Sequence, residues 1–262
     1  MIIIKTPEEI KILRDGGKIL SSILLKIAEK AKPGVTTFEL DEYAEFLIKE
    51  AGGEPAFKGY KTRDDKYPFP SSLCVSINDE VVHGIPAEDR FLEEGDIVGL
   101  DLGLKWKGLY TDATISVGVG KISSEAERLL SITKTALEKG IKVVKEGAYT
   151  GDIGFAIQSY VEKQRLPAGR QGFNVVKNLV GHGVGYSLHE EPEIPNWGRK
   201  KTGIRLKQGM VFAMEPMVSM GSGDIILDKN GWTWKTKDGS LAAHFEHTIA
   251  VSKRGVEVLT KL

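Results

Sequence analysis

Two short apolar stretches recur in this chain, and each copy carries an acid at the same place. Gly95-Asp96-Ile97-Val98-Gly99-Leu100-Asp101 aligns with Gly209-Met210-Val211-Phe212-Ala213-Met214-Glu215. Asp112-Ala113-Thr114-Ile115-Ser116-Val117 aligns with Glu246-His247-Thr248-Ile249-Ala250-Val251. Each half of the chain therefore supplies two carboxylates on strand-like runs. Four buried acids repel one another and are costly to desolvate unless cations lie between them. The pattern predicts a carboxylate-rich metal site, dinuclear in form, where two related halves meet.

The segments between these runs repeat as well. Thr6-Pro7-Glu8-Glu9 carries a capping box with proline in the first turn, and apolar residues at Ile10, Leu13, Leu20, Ile23, Leu24 and Ile27 keep a helical period up to Lys32-Pro33-Gly34. A second helix starts at Thr36-Thr37-Phe38-Glu39 and stops at Gly52-Gly53; strands are expected over 73–77, 96–105 and 109–119. The second half repeats the scheme. A helix is expected over 124–146 with a Ser124/Glu127 capping box, another over 150–165, and strands over 173–176, 210–218 and 244–251. The expectation is a single α/β (α+β) body over 1–262, duplicated as halves of about 1–120 and 121–262. The Gly/Pro-rich stretch 166–172 reads as a surface loop.

If 96–105 and 108–119 form a hairpin about a turn at Trp106-Lys107, Asp101 lies directly opposite Asp112, with Cβ atoms about 4.5–5.5 Å apart. Glu215 and Glu246 stand in equally apolar surroundings. The chain holds five histidines. His182 lies in Gly-His-Gly-Val-Gly, where backbone can approach a ligand closely; His83 lies in Val-His-Gly-Ile-Pro, and His189 in His-Glu-Glu-Pro. His247 has the opposite strand parity to Glu246 and is expected to point away from the acids. His244 has the right parity but no assigned role. Neither the glycines around His182 nor His189-Glu190-Glu191 match a phosphate loop, a dinucleotide fingerprint or HExxH.

Composition narrows the function classes. Lys plus Arg total 36 and Asp plus Glu total 36, so the net charge is zero; a specific nucleic-acid binder would carry a basic excess. The one cysteine, Cys74, allows no intrachain disulfide, which suits a reducing compartment. No run is long and apolar enough to span a membrane. A cytoplasmic protein is expected.

Taken together, Asn78-x4-His83-Gly84-Ile85-Pro86, Asp101 with Asp112, Gly181-His182-Gly183-Val184-Gly185, His189-Glu190-Glu191-Pro192, Met214-Glu215-Pro216 and Glu246-His247-Thr248 resemble, in identity and order, the motifs of type I methionine aminopeptidases. The resemblance runs from Thr6 to Val258. It implies the pita-bread fold, two α/β halves related by a pseudo-two-fold axis around a central antiparallel sheet. It also implies removal of the initiator methionine from nascent proteins by dinuclear-metal hydrolysis when the second residue is small. The family's five ligands fall on Asp101, Asp112, His182, Glu215 and Glu246. Asp101 would hold one ion, His182 and Glu215 the other, with Asp112 and Glu246 bridging. His83 and His189 match substrate-contacting histidines, and Glu215 a proton shuttle. Tyr60, Phe69, Cys74 and Trp232 match the methionine pocket, with Leu188 where an aromatic is often found. The two divalent ions would be Co, Mn, Fe or Zn, and the partners nascent polypeptide N-termini with transient ribosome proximity. An Xaa-Pro aminopeptidase or prolidase-like peptidase shares fold and ligands but usually carries an additional N-terminal domain. A non-catalytic pita-bread binding protein is the other alternative.

Overall fold

A computed structural model describes residues 2–63, 65–165, 172–253 and 255–261. Apart from Gly172, the 166–172 stretch expected to form a surface loop lies outside the described residues. Helix α1 (Pro7–Lys30) opens as its capping box requires: Glu9 N–H donates to Thr6 Oγ1 at 3.2 Å, and the Glu9 carboxylate accepts from Thr6 N–H at 2.8 Å. Thr36 and Glu39 do the same for α2 (Thr37–Glu50). Such caps contribute about 1 kcal/mol each. Two expectations are corrected. Helix α3 (Ser124–Val143) is capped by Ser123, whose hydroxyl accepts from Ala126 N–H, and not by Ser124 with Glu127. Helix α4 (Thr150–Val161) ends before residue 165, with Glu162 as its C-cap.

The strands of the first half are β1 (Glu54–Pro55), β2 (Leu73–Ile77), β3 (Glu80–Val82), β4 (Ile97–Trp106) and β5 (Leu109–Gly118). Those of the second are β6 (Asn174–Val175), β7 (Gly181–Gly183), β8 (Glu190–Ile194), β9 (Val211–Met214), β10 (Met217–Ser219), β11 (Ile225–Leu227), β12 (Trp234–Thr236), β13 (Ala242–His244), β14 (Glu246–Ser252) and β15 (Gly255–Val258). The expected strand 210–218 is thus divided at Glu215-Pro216, since proline cannot donate to a ladder. The expected strand 244–251 is divided at Phe245, where pairing passes from β10 to β5 and β9.

The main sheet runs β1-β4-β5-β14-β9-β7-β8, with β2 beside β4 and β15 beside β14. Its central four strands, β4-β5-β14-β9, keep their order when the halves are exchanged, because β4 and β9 carry one repeated stretch and β5 and β14 the other. Side chains alternate across the sheet. Val98, Leu100, Ala113, Phe212, Met214 and Ile249 enter the main apolar core, which draws on both halves. Helix α1 covers β4 and β5, and α3 covers β5 and β9. The intervening residues Asp101, Asp112, Thr114 and Glu246 face the other way.

The hairpin register differs from the sequence expectation. Asp101 pairs with Thr114 and Asp112 with Gly103, so the two acids are diagonal neighbours and not directly opposite. The turn is Lys107-Gly108, both at positive φ (49° and 83°). That is the type I′ geometry a two-residue hairpin favours, and glycine takes its second position without steric cost. A shift of two residues preserves parity, so both acids still share one face.

Candidate metal centre

The acids gather from across the sheet. Thr114 is paired with Asp101 on one side and Glu246 on the other, which sets Asp101, Thr114 and Glu246 in one row across β4, β5 and β14. Asp112 lies two residues before Thr114 on the same face. Glu215 follows β9 directly, and Asn196 Nδ2 donates to its carbonyl at 2.9 Å. His182 sits on β7, whose flanking glycines let the strand press between its neighbours. A Cβ at Gly183 would lie 2.2 Å from Glu191 O, and one at Gly181 2.4 Å from Ala213 O.

Side-chain atoms of Asp112, His182 and Glu246 lie within 4.8 Å of one another. His182 Nε2 is 3.5 Å from Glu215 Oε1 and 3.9 Å from Asp112 Oδ2. Asp101 completes the group from β4. Burial raises every one of these carboxyls: Asp101 to about 6, Glu215 to about 7, and Asp112 and Glu246 well above the usual range, the last two driven further by the neighbouring acids. Among the described residues, no Lys or Arg lines the cavity. Asp101 Oδ1 and Asp112 Oδ1 are buried without a hydrogen-bond partner. Oxygen-rich donors with one imidazole, buried and lacking a protein counter-charge, fit divalent transition-metal ions.

The eleven candidate residues named from sequence all line one cavity of about 460 Å³. Its apolar wall is the cluster of Phe57, Phe69, Cys74, Leu188 and Trp232, with Tyr60 against it. Phe69 meets Trp232 edge to face at 5.3 Å between centroids, and Trp232 Nε1 donates to Tyr67 O at 3.1 Å. Burial holds the Cys74 thiol neutral, its pKa raised well above the ordinary value. His83, just after β3, has φ 58°, a left-handed conformation uncommon outside glycine and found at functional positions. Burial lowers its pKa to about 4, with His244 adding to the shift. The His189 ring lies 4.1 Å from that of His182, and its Nδ1 is 2.6 Å from the Tyr60 hydroxyl. Although residue 189 is exposed at the rim, this enclosure of the ring, then His182 and His83, holds its pKa low.

His247 points to the other side, its Nδ1 3.2 Å from Thr260 Oγ1, as its parity predicts. His244 enters the cavity. Its Nε2 lies 3.4 Å from Glu215 Oε2 yet without hydrogen-bond geometry, and burial lowers its pKa to about 4. Two threonines went unnoticed in sequence. Thr114 Oγ1 donates to Glu246 Oε2 at 2.8 Å. Thr248 Oγ1 accepts from Asp112 N–H at 2.9 Å and donates to Asp112 O at 2.7 Å. Their signal was present: both copies of the repeat carry threonine two residues after the acid.

A model of metallopeptidase family M24 matches residues 11–253. The chain belongs to metallopeptidase family M24. Relatives 40–45% identical over nearly the whole chain are methionine aminopeptidases, which bears out the type I resemblance. The methionine aminopeptidase of Clostridium acetobutylicum is 45% identical over 260 residues, 99% of each chain. The crystal structure of methionine aminopeptidase from Thermotoga maritima matches this M24 chain with a TM-score of 0.93 and 42% identity over all of both chains. A prolidase from Pyrococcus horikoshii shares the pita-bread fold with a TM-score of 0.76 and 24% identity, over all of this chain and 64% of that one. Among the described residues of this M24 member, no helix is long and apolar enough to cross a membrane.

Proposed function

We propose that the chain is one catalytic unit, an aminopeptidase that removes N-terminal methionine when the second residue is small. The observation that carries this reading is the meeting of five metal-type donors, with no Lys or Arg among the described residues, and an apolar pocket in one cavity. Two divalent ions, of Mn, Fe, Co or Zn, would be held by Asp101, Asp112, His182, Glu215 and Glu246. The order of the strands supports the division of ligands. Asp112 and Glu246 stand on the central pair β5 and β14, between the other donors, where they would be shared by both ions. Asp101 lies to one side on β4, and to the other lie Glu215, just after β9, and His182 on β7.

Divalent ions held by these five residues would supply Lewis acidity toward a water and the first amide carbonyl. The chain's own groups do the rest. With the Tyr60 hydroxyl donating to Nδ1, neutral His189 carries its proton on Nε2 and donates it toward the developing oxyanion. His83 orients the amide nitrogen, and Glu215 passes a proton to the leaving amine. Tyr60, Phe69, Cys74 and Trp232 bury the methionine side chain, which contributes about 1.5–3 kcal/mol. The natural substrates are nascent N-termini in the cytoplasm, met in transient proximity to the ribosome, without specific nucleic-acid recognition.

The test is a metal-dependent peptide panel. Met-Gly and Met-Ala peptides should be cut well, and Met-Leu, Met-Lys and N-acetylated peptides poorly. Norleucine in place of methionine should still be accepted, because pocket fit separates near-isosteres by only about 1–3 kcal/mol. Faster cleavage of Ala-Pro or Leu-Pro than of Met-Ala peptides would establish the Xaa-Pro reading instead.

A further inference from the structure

A buried ion pair links the start of the chain to the loop that carries His189. Lys5 N–H donates to Gly209 O at 2.8 Å, which lays the segment before α1 alongside the start of β9. The Lys5 ammonium contacts the Glu190 carboxylate, with the two side chains 1% and 6% exposed. Glu190 is the residue after His189. Its other oxygen accepts from Tyr186 N–H and, at 2.9 Å, from Ser187 N–H, so one carboxylate closes the 186–190 turn on itself. The Tyr186 hydroxyl donates to Glu9 of α1. Packing is equally close: a Cβ at Gly185 would lie 2.3 Å from Lys5 Cε.

This arrangement needs a reason. Desolvating a lysine and a carboxylate costs several kcal/mol, and their attraction often does no more than offset it. The best-attested gain from such a pair is a fixed geometry. Here the fixed element is the 186–190 turn, and the side chain leaving it beside His182 is His189. The turn is also tied by Gly185 N–H to Ser187 O at 3.1 Å and Tyr110 N–H to Gly185 O at 2.7 Å, by Leu188 in the apolar wall and by the pairing of Glu190 with Gly183. The ion pair is the tie that joins it to the segment before α1.

We propose that Lys5 and Glu190 are positioning residues that set the His189 ring at the metal centre, which makes the segment before α1 a part of the catalytic machinery. The proposal rests on the reading of His189 as a substrate-contacting group.

A double-mutant cycle on the metal-loaded protein tests it. Lys5→Met leaves the Glu190 carboxylate buried without its counter-ion. It should lower kcat on a Met-Ala peptide about tenfold or more, with KM within about twofold and metal content unchanged, as for a contact made in the transition state. In a His189→Ala background the same substitution should change kcat less than about twofold, because the two residues act through one contact. An equal cost in both backgrounds would overturn the proposal and leave the pair a support of the fold alone. A second readout does not involve turnover. The His189 ring Hε1 resonance should shift in Lys5→Met while that of His247, on the other face of the sheet, stays; an unmoved His189 resonance also overturns the proposal. Should His189→Ala leave kcat unchanged, the reading of His189 fails by itself, and the resonance decides the clamp. Should Lys5→Met not fold, Lys5→Arg carries the same measurements, since a planar guanidinium cannot repeat a single ammonium contact.

Discussion

The two acid-bearing strand pairs follow one pattern but are closed in different ways. In the first half β4 and β5, ten residues each, pair along their whole length through the two-residue turn Lys107-Gly108. In the second half β9 has four residues, its acid falls just beyond the strand, and residues 215–245 separate it from β14. That long excursion builds β10 to β13 and brings Trp232 and His244 to the cavity. One half is a continuous hairpin that places Asp101 and Asp112 on a stiff ladder. The other gives up ladder regularity and gains a cavity wall. Both halves supply acids, and the long connection in the second adds Trp232 and His244 to a cavity whose wall already includes Phe57, Tyr60, Phe69 and Cys74 of the first.

The largest expected effect tests whether the halves remain equivalent at the centre. Asp112 and Glu246 occupy corresponding places on the two central strands, so Asp112→Ala and Glu246→Ala should be equally damaging. Each should lower metal content, read by elemental analysis. Each should also lower activity by more than the roughly 10–100-fold that loss of a supporting partner costs. If either variant keeps two full equivalents of tightly bound metal, the bridging assignment is wrong. If only one loses metal, the centre is not symmetric.

Much of this was legible in the sequence, for a physical reason. Strand parity and capping are local, so the acid-bearing strands, the orientation of His247 and the starts of α1 and α2 follow from spacing alone. Turn chemistry was read less well. A turn at Trp106-Lys107 neglects the demand for positive φ, which Gly108 satisfies. The hairpin register therefore shifted by two while the shared face survived. Contacts distant in sequence were not legible. His244 against Glu215 and Lys5 against Glu190 depend on strands and turns that only the tertiary fold brings together. Ser123 in place of Ser124 shows the same limit on a small scale, since neighbouring serines compete for one cap.

A smaller effect separates the two threonines of the repeat. Thr114 supports a side chain, the Glu246 carboxylate, whereas Thr248 supports backbone, the N–H and C=O of Asp112. Thr114→Val should weaken metal binding by about tenfold or more, the lower end for a lost supporting partner, with little loss of thermal stability. Thr248→Val should do the reverse and cost about 1–3 kcal/mol through unsatisfied buried backbone. Metal titration and denaturant melts of both variants check this; identical behaviour would mean that the threonines are equivalent after all.

Smaller still is a pH effect in metal-free protein. Glu215 and Asp101 have folded pKa values of about 7 and 6, and Asp112 and Glu246 lie higher than their ordinary values. A raised carboxyl pKa stabilises the folded state fully below the unfolded value and loses that contribution as pH rises through the folded one. His83, His244 and His247, lowered to about 4, and His189, also lowered, act oppositely, with stability gained as pH rises through the unfolded value of about 6.5 and lost as pH falls toward the folded one. Above about pH 7.5, one unit beyond the unfolded value, the histidines are nearly neutral in both states and the carboxyls dominate. The Tm of metal-free protein should therefore fall above about pH 7.5, and added divalent metal should cancel the fall because its ligands bind deprotonated. Asp101→Asn should leave most of the decline, and Glu215→Gln should remove part of it. A flat profile for the metal-free protein would show that these acids are already compensated.

The smallest effect is expected from the 166–172 stretch, which has no counterpart among the acid-bearing strands. A Cβ at Gly172 would lie 2.4 Å from Gln164 O, so the chain leaves and re-enters at nearly one place. Joining two ends that already lie so close need not move them, and the entropy of a loop changes only slowly with its length. Asn174 stays anchored by donating to Gly221 O at 2.6 Å, and β6 pairs with β10, so the connection that follows has its own hold. Deleting 166–171 should leave metal content, Tm and kcat close to those of the parent. Loss of metal on deletion would mean that this stretch helps to set β7 and His182, and that the second half depends on its insertions at the metal as well as at the pocket wall.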